Sequence, residues 1–357
     1  MEKKINNIII SDSLKNLSIY LNNNKFSNLI ILLDINIENK CLDLLYKDVP
    51  ILKLKKTIII KILSGERYKS LKTCIKIWKI FIKKNIDKKS LLINFGGGVV
   101  TDLGGFIASL FKRGINFINV PTTLLGMVDA SIGGKNGINF YKYKNEIGVI
   151  NNPIYTIINY RFLDSLPKKE IYSAFGEILK YGLIYNKKYF NYIKKIKIYG
   201  IVNWVKIIYI AVKIKNKIVD KDPKEILGIR KILNFGHTIG HAIESLFLLK
   251  KKIITHGEAI SLGMICESWI SKKVNNLSNK DYKTICKVIL SFFKIRKIKK
   301  KYFKYILKII KNDKKNYNNK IYLVLLKNIG SASYNHEVHE KLIIKSIKKM
   351  NDLYKKK

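Results

Sequence analysis

Short apolar runs alternate with amphipathic helical stretches through the first half of the chain. Leu29–Leu33 reads as a strand that stops at Asp34, Ile35 and Asn36, and Thr57–Leu63 as another that stops at Ser64, Gly65 and Glu66. Leu71, Cys74, Ile75, Trp78, Phe81 and Ile82 then recur at steps of three and one, which is one face of a helix. Leu91–Phe95 runs into three glycines, Gly96 to Gly98, and a helical pattern extends from Asp102 to Leu110. Strands alternating with helices predict a parallel, doubly wound sheet. From about Lys168 the patterns lengthen and become helical, with Pro223 the only further proline. Ile321–Leu326 suits a strand or a helix equally. A boundary at Leu166-Pro167 therefore separates an expected Rossmann-like α/β domain, residues 1–166, from an expected mainly helical domain, residues 167–357.

Charge changes this picture less than its size suggests. Lys and Arg number 69 against 25 acidic residues, a formal +44 over 357 residues, and such a balance is compatible with a basic nucleic-acid-binding protein. That reading needs the charge gathered on one face with aromatic stacking platforms, and no such motif is present. Only 5 of the 69 are Arg, while Ile matches Lys at 64 and Ala falls to 7, a bias that reads as compositional drift. The 47% hydrophobic share excludes a disordered basic tail. No apolar run reaches the ~18 residues that span a bilayer, and the N-terminus shows no apolar signal segment. Cys41, Cys74, Cys266 and Cys286 are widely spaced with no CxxC pair, so they read as reduced, structural thiols of a cytoplasmic protein. No nucleic-acid or membrane partner is expected.

Against this background the clustered Gly and His stand out. Eleven of the 21 glycines fall between Gly96 and Gly148. In LLINFGGGVVTDLGGF an apolar strand meets glycines and a helix start. Glycine lets backbone approach an anion, and a helix N-terminus adds N–H donors with a favourable dipole. The order is not GxGxxG, and a plain tight turn is the competing reading. Thr122, Thr123, Asp129, Lys135, Lys144 and Asn145 follow within thirty residues and read as a set of binding loops. His237 and His241 lie four apart, so they share a helix face, and His256 follows; Glu177 is a lone acid in SAFGEILKYGLI. Two His and a carboxylate would leave an open position on zinc, and the spacing is not that of an HExxH protease.

In order and spacing, the motifs GGGVVTDLGGF, RGINFINVPTTLLGMVDASIGGKNGIN, KNEIG, FLDSLP, GEILKYGLI, LNFGHTIGHAIES and HGEAISLGM resemble those of the 3-dehydroquinate synthase family, a branch of the sugar phosphate cyclases. The resemblance runs from about Leu29 to Leu262 and is looser beyond. It implies an NAD-binding α/β domain, a helical metal- and substrate-binding domain, an active site in the cleft between them, and a homodimer. It further implies that NAD is held by Asp34, Asn36, Ser64, Gly65, Glu66, Lys69, Gly97, Gly98, Asp102, Thr122, Thr123, Lys135, Lys144, Phe162 and Ser165. Metal, Zn2+ or Co2+, falls to Glu177, His237 and His256. Substrate contacts fall on Asp129, Lys135, Asn145, Lys180, Lys215, Arg230, Asn234 and His241, with Arg113 reaching in from a partner subunit.

The activity so implied is a lyase of the shikimate pathway. It converts a phosphorylated sugar acid, 3-deoxy-D-arabino-heptulosonate 7-phosphate, to 3-dehydroquinate and phosphate by transient oxidation at NAD, β-elimination, re-reduction and aldol closure. His241 is the expected proton relay, Arg230 suits a carboxylate with its planar fork, and neutrality of the ligating histidines predicts loss of activity below about pH 6. Some departures from the family pattern are visible. The spacing from Glu225 to Arg230 is one residue longer, Asn159 and Ser165 replace Asp and Thr, and Ser331 stands where many members have Lys, with Lys327 nearby. The alternatives are a sister cyclase acting on another sugar phosphate and an NAD- and metal-dependent polyol dehydrogenase.

Overall fold

A computed structural model describes residues 2–54, 57–141, 143–198, 200–311 and 320–354. The elements of the first half are β1 (Lys3–Ile5), β2 (Ile8–Ser11), α1 (Lys15–Asn23), β3 (Leu29–Asp34), α2 (Ile35–Asp48), α3 (Ile51–Leu54), β4 (Ile58–Ile62), α4 (Leu71–Lys83), β5 (Leu91–Gly96), α5 (Gly98–Leu110), β6 (Asn116–Pro121), β7 (Lys135–Phe140), β8 (Tyr143–Ile150) and β9 (Thr156–Asn159). The second half has α6 (Lys168–Tyr185), α7 (Lys187–Ile193), α8 (Trp204–Asp220), α9 (His237–Leu249), α10 (His256–Val274), α11 (Asn279–Phe292), α12 (Phe303–Lys311), β10 (Tyr322–Asn328), β11 (Ser331–Glu337) and α13 (Glu340–Tyr354).

Contacts divide the chain into two units, Met1–Ile171 with Asn203–Asn216, and Tyr172–Val202 with Lys217–Lys357. The first unit thus recovers a piece of α8 from within the stretch expected to be helical.

In the first unit seven strands form one sheet in the order β1-β2-β9-β6-β5-β3-β4, parallel throughout except for β1 with β2. The central strands β3 and β5 read LIILLD and LLINFG, and every residue but Asp34 is buried, as a parallel sheet covered on both faces requires. One apolar layer joins Leu32, Leu92 and Phe117 of the sheet to Ile77 and Phe81 of α4 and to Leu103, Phe106 and Ile107 of α5. Asn94 and Asn119 are register neighbours inside that sheet and hydrogen-bond side chain to side chain at 2.9 Å. Gly104 makes room for this pair: a Cβ there would lie 1.8 Å from Asn94 Oδ1. α5 begins at Gly98, four residues before the expected Asp102, with Gly97 as its N-cap.

Two further differences concern strands. The segment expected as binding loops folds in part as the antiparallel pair β7–β8, in which Gly137 faces Gly148. A Cβ at Gly137 would stand 2.7 Å from the Ile147 carbonyl oxygen, so only glycine permits that approach. The ambiguous Ile321–Leu326 stretch resolves as β10, paired antiparallel with β11. The other elements described in the second unit are helices, and the residues of α10 from Ala259 to Ser271 are all buried.

Candidate active site

Parallel strands bring their carboxyl ends to one edge, and register fixes what meets there. Asp34 pairs with Ile62, and Gly96 with Pro121. The residues just beyond are Ser64–Glu66 after β4, Gly97 and Gly98 after β5, and Thr122 and Thr123 after β6. Ligands of open α/β sheets bind at such an edge. Asp34 caps α2, its side chain accepting the Asn36 N–H at 2.9 Å, and burial raises its carboxyl above the usual range against that bond. Gly97 caps α5; a Cβ on it would come within 3.0 Å of Thr123 Cγ2, and one on Gly98 within 2.9 Å of Ala130 Cβ. The turn therefore offers bare backbone N–H groups at a helix N-terminus, which suits a pyrophosphate.

Beside it Lys69 is buried, and its Nζ reaches Asp102 Oδ2 at 2.5 Å and also Asn145 Oδ1. Burial raises the Asp102 carboxyl, with Lys69 pulling the other way. Asn145 is held at φ 53° by its own N–H on Asn139 Oδ1 at 3.0 Å, and Asn139 in turn donates to Glu66 Oε1 at 2.9 Å. Nearby in the same unit, Lys215 Nζ donates to both the carboxylate and the carbonyl of Asp129 at 2.6 Å. Lys135, Lys144 and Arg113 are exposed. Arg113 follows Lys112 in a pair of left-handed residues, φ 49° and 65°, before Gly114, a strained turn for side-chain-bearing residues. Phe162 belongs to the core, edge-on to Phe95 at 5.4 Å, and Ser165 Oγ donates to the Phe162 carbonyl at 3.1 Å.

The second unit assembles the histidines. His237 is the first residue of α9 and His256 the first of α10, so both leave a helix N-terminus, while Glu177 comes from the middle of α6. Glycines set their separation. A Cβ on Gly257 would fall 1.7 Å from the Ser173 carbonyl oxygen, and one on Gly263 would fall 2.0 Å from the Gly236 carbonyl oxygen. α6 against α10 and α9 against α10 thus meet backbone to backbone, which is the physical reason that a glycine lies near each histidine. A capping box, Thr255 with Glu258, fixes the start of α10.

Ring nitrogens of His237, His241 and His256 lie within 4.8 Å of one another. Glu177 Oε1 stands 3.3 Å from His237 Nε2 and 3.5 Å from His256 Nε2, and Oε2 contacts Lys180 Nζ. Glu177 and Lys180 are both buried. Burial would raise the Glu177 carboxyl, yet Lys180 and His237 outweigh it and hold the group well below the usual range. Burial, then Lys180, pushes His237 down to about 4. Burial also opposes protonation of His256, but bonds to Glu177 and Glu244 overcome it and lift it to about 9. Both Glu177 oxygens are sealed from solvent, with Lys180 against one and the two histidines facing the other. A buried ionised carboxylate with one oxygen on Lys180 and the other facing His237 and His256 is part of a donor set that zinc or cobalt takes, so these residues fit such an ion.

Sequence reasoning passed over Glu244, whose Oε2 lies 3.7 Å from His256 Nδ1. It sits seven residues after His237 and three after His241, so the polar face of α9 was readable. It also passed over Asp222, which gathers the N–H groups of Ile226 (2.8 Å), Leu227 (3.0 Å) and Arg230 (3.4 Å). This loop turns left-handed at Glu225, φ 57°, and again at Gly228, φ 77°, before delivering Arg230 buried with Nη1 on the Pro223 carbonyl at 3.1 Å. Asn234 ends the short helical turn that follows Gly228.

Residues 59–173 match the family described as 3-dehydroquinate synthase N-terminal, and residues 174–316 match 3-dehydroquinate synthase C-terminal. The 3-dehydroquinate synthase of Parabacteroides distasonis is 36% identical over 97% of this chain and 97% of its own length. That of Pelagibacter ubique is 38% identical over 96% and 94%. Among solved structures, a 2-deoxy-scyllo-inosose synthase complexed with carbaglucose-6-phosphate, NAD+ and Co2+ superposes with TM-score 0.84 at 23% identity, covering 98% of this chain and 100% of that one. A 2-epi-5-epi-valiolone synthase from Streptomyces hygroscopicus with NAD+ and Zn2+ bound gives 0.85 at 20%, covering 99% and 98%. These last two likenesses concern the fold.

Proposed function

The chain belongs to the 3-dehydroquinate synthase family, and we propose how its own residues divide that family's reaction. It is an enzyme, a lyase that converts 3-deoxy-D-arabino-heptulosonate 7-phosphate to 3-dehydroquinate and phosphate. The observation that carries the assignment of roles is the buried carboxylate of Glu177, ionised against Lys180 and facing His237 and His256. Zn2+ or Co2+ held by Glu177, His237 and His256 supplies Lewis acidity toward a substrate hydroxyl. NAD, cradled by Asp34, Asn36, the 64–69 turn, Gly97, Gly98, Asp102, Thr122, Thr123, Lys144 and the 162–165 segment, supplies a reversible two-electron oxidant.

The remaining side chains bind, orient and move protons. His241 shares the α9 face with His237, at 5.1 Å between ring centroids, and is the assigned proton relay at the reacting hydroxyl. Lys180, buried against Glu177, contributes positive charge for an anionic substrate oxygen at no cost of reorganisation. Arg230 presents a buried planar fork to a carboxylate, with Asn234 four residues on, at the end of the same short helical turn. Lys135 and Asn145 are assigned to the substrate phosphate, and Lys215 and Asp129 orient one another in the same unit. Arg113, strained and exposed, completes the phosphate clamp from a second subunit in a proposed homodimer. The NAD part is assigned to residues 1–166 and the metal part to 167–357.

No described helix is long and apolar enough to cross a membrane. Four buried free thiols support a reducing, cytoplasmic setting. A sister cyclase is the second reading, and the buried Arg230 speaks for a carboxylated substrate over a sugar phosphate that has no carboxylate. Turnover of heptulosonate phosphate beside glucose 6-phosphate tests this: the account requires preference for the acid, and Arg230→Lys should raise KM for it. Turnover of glucose 6-phosphate alone would reassign the chain.

A further inference from the structure

The amide that joins Phe235 to Gly236 is engaged on both sides. Its carbonyl oxygen lies 3.1 Å from His237 Nδ1, and its N–H donates to Glu267 Oε2 at 2.6 Å. The second oxygen of Glu267 accepts the Ile239 N–H at 3.3 Å. Glu267 lies on α10 and is fully buried, a position where a carboxylate persists only with strong donors. It stands eleven residues after His256, three helical turns along the same face. Gly236 has φ 79°, and a Cβ on it would meet Met264 Cγ at 2.4 Å and the Ile260 carbonyl oxygen at 2.9 Å. α9 consequently has no capping side chain of its own. A charge from the neighbouring helix supplies the cap, at the turn that carries His237.

We propose that Glu267 is a positioning residue for His237, acting through this single peptide unit. A negative charge on the N–H side polarises the amide and strengthens its carbonyl as an acceptor, since hydrogen bonds in series reinforce one another in a low-dielectric interior. The Phe235 carbonyl then holds Nδ1–H and fixes the ring plane. Nε2 is left as the lone-pair nitrogen on the side of Glu177. The same carboxylate ties α9 to α10, so the residues that begin the two helices, His237 and His256, are placed by one group. This inference rests on the reading of His237 as a metal ligand.

A plain helix cap would stabilise α9 without touching the electronics of a bound ion, and Glu267→Gln separates the two. The substitution keeps length and volume, removes the charge and leaves one of two N–H groups without an acceptor. Zinc affinity by chelator competition and the visible absorption of the Co2+-loaded protein are read alongside melting of the metal-free protein. The expected result is zinc binding about 10- to 100-fold weaker with shifted Co2+ bands. Wild-type affinity with unshifted bands, whatever happens to the melting temperature, reduces Glu267 to a cap and overturns the proposal. If Glu267→Gln does not fold, Glu267→Asp is measured instead: it keeps the charge but withdraws it from Gly236, and wild-type values there overturn the proposal equally. Failure of the unaltered protein to bind zinc at all would strike the metal assignment itself.

Discussion

Glu177 and His237 face one another at 3.3 Å, Oε1 to Nε2, while the other oxygen of the same carboxylate rests against Lys180. One buried anion therefore answers to a cation on one side and to metal-ligand chemistry on the other. Removing it by Glu177→Gln leaves Lys180 buried and unopposed. Breaking a buried pair costs about 3–5 kcal/mol, so the metal-free variant should melt well below the parent. Zinc content by elemental analysis should fall at the same time. A variant that keeps full zinc occupancy removes Glu177 from the ligand set.

Close helix contact predicts an outcome for a residue that touches no ligand. In Gly263→Ala the new Cβ would stand 2.0 Å from the Gly236 carbonyl oxygen, so α9 and α10 must separate. Overpacking of this kind costs about 1–3 kcal/mol. The separation should also widen the spacing of His237 and His256, so that zinc affinity drops together with melting temperature. Loss of stability with unchanged zinc affinity would dissociate the packing from the site.

Asp222 gives a pH dependence whose sign can be worked out. Burial would raise its carboxyl, but N–H groups of Leu227, Arg230, Ile226 and Ile229 outweigh that and lower it below the usual value. A group depressed in the folded state stabilises the fold above its unfolded value of about 3.9 and loses that contribution as pH falls through the lower folded value. Asp222→Asn carries no charge to titrate. The stability gap between parent and variant, from denaturant unfolding, should be full at pH 6 and close progressively below about pH 4. A gap independent of pH would mean that the ionised carboxylate does not hold the loop.

Lys69 links Asp102 and Asn145 beside the Gly97 turn. Lys69→Met preserves the buried stem and removes the ammonium, leaving Asp102 without its cation. NADH affinity, followed by fluorescence titration of the metal-free protein, should weaken at least about tenfold, since a hydrogen bond to a charged group contributes about 1.5–3 kcal/mol. Unchanged affinity would confine Lys69 to a structural part.

Much of this was legible because periodicity and burial coincide in the parallel strands. Leu29–Asp34, Ile58–Ile62 and Leu91–Gly96 lie within a residue of where the apolar runs put them, and α4 follows its stripe from Leu71. The β7–β8 ribbon was hidden because its residues are largely exposed: β8 has no fully buried position, so no alternation marks it. The return of residues 203–216 to the first unit leaves no local trace in an amphipathic helix that continues to Asp220. At the site, His237, His241 and His256 were found by type and spacing. Asp222, Glu244 and Glu267 act on backbone N–H groups or on a second imidazole nitrogen, and such contacts depend on which helices pack together. The Glu225–Arg230 stretch turns left-handed at Glu225, and the Ile226 N–H that follows donates to Asp222.

The most direct measurement incubates the purified protein with heptulosonate phosphate, zinc and NAD well below the substrate concentration, and follows phosphate and NADH together. One phosphate released per substrate consumed, many turnovers per NAD and no net NADH is the predicted result. NADH accumulating in step with substrate loss, or no phosphate at all, would contradict it.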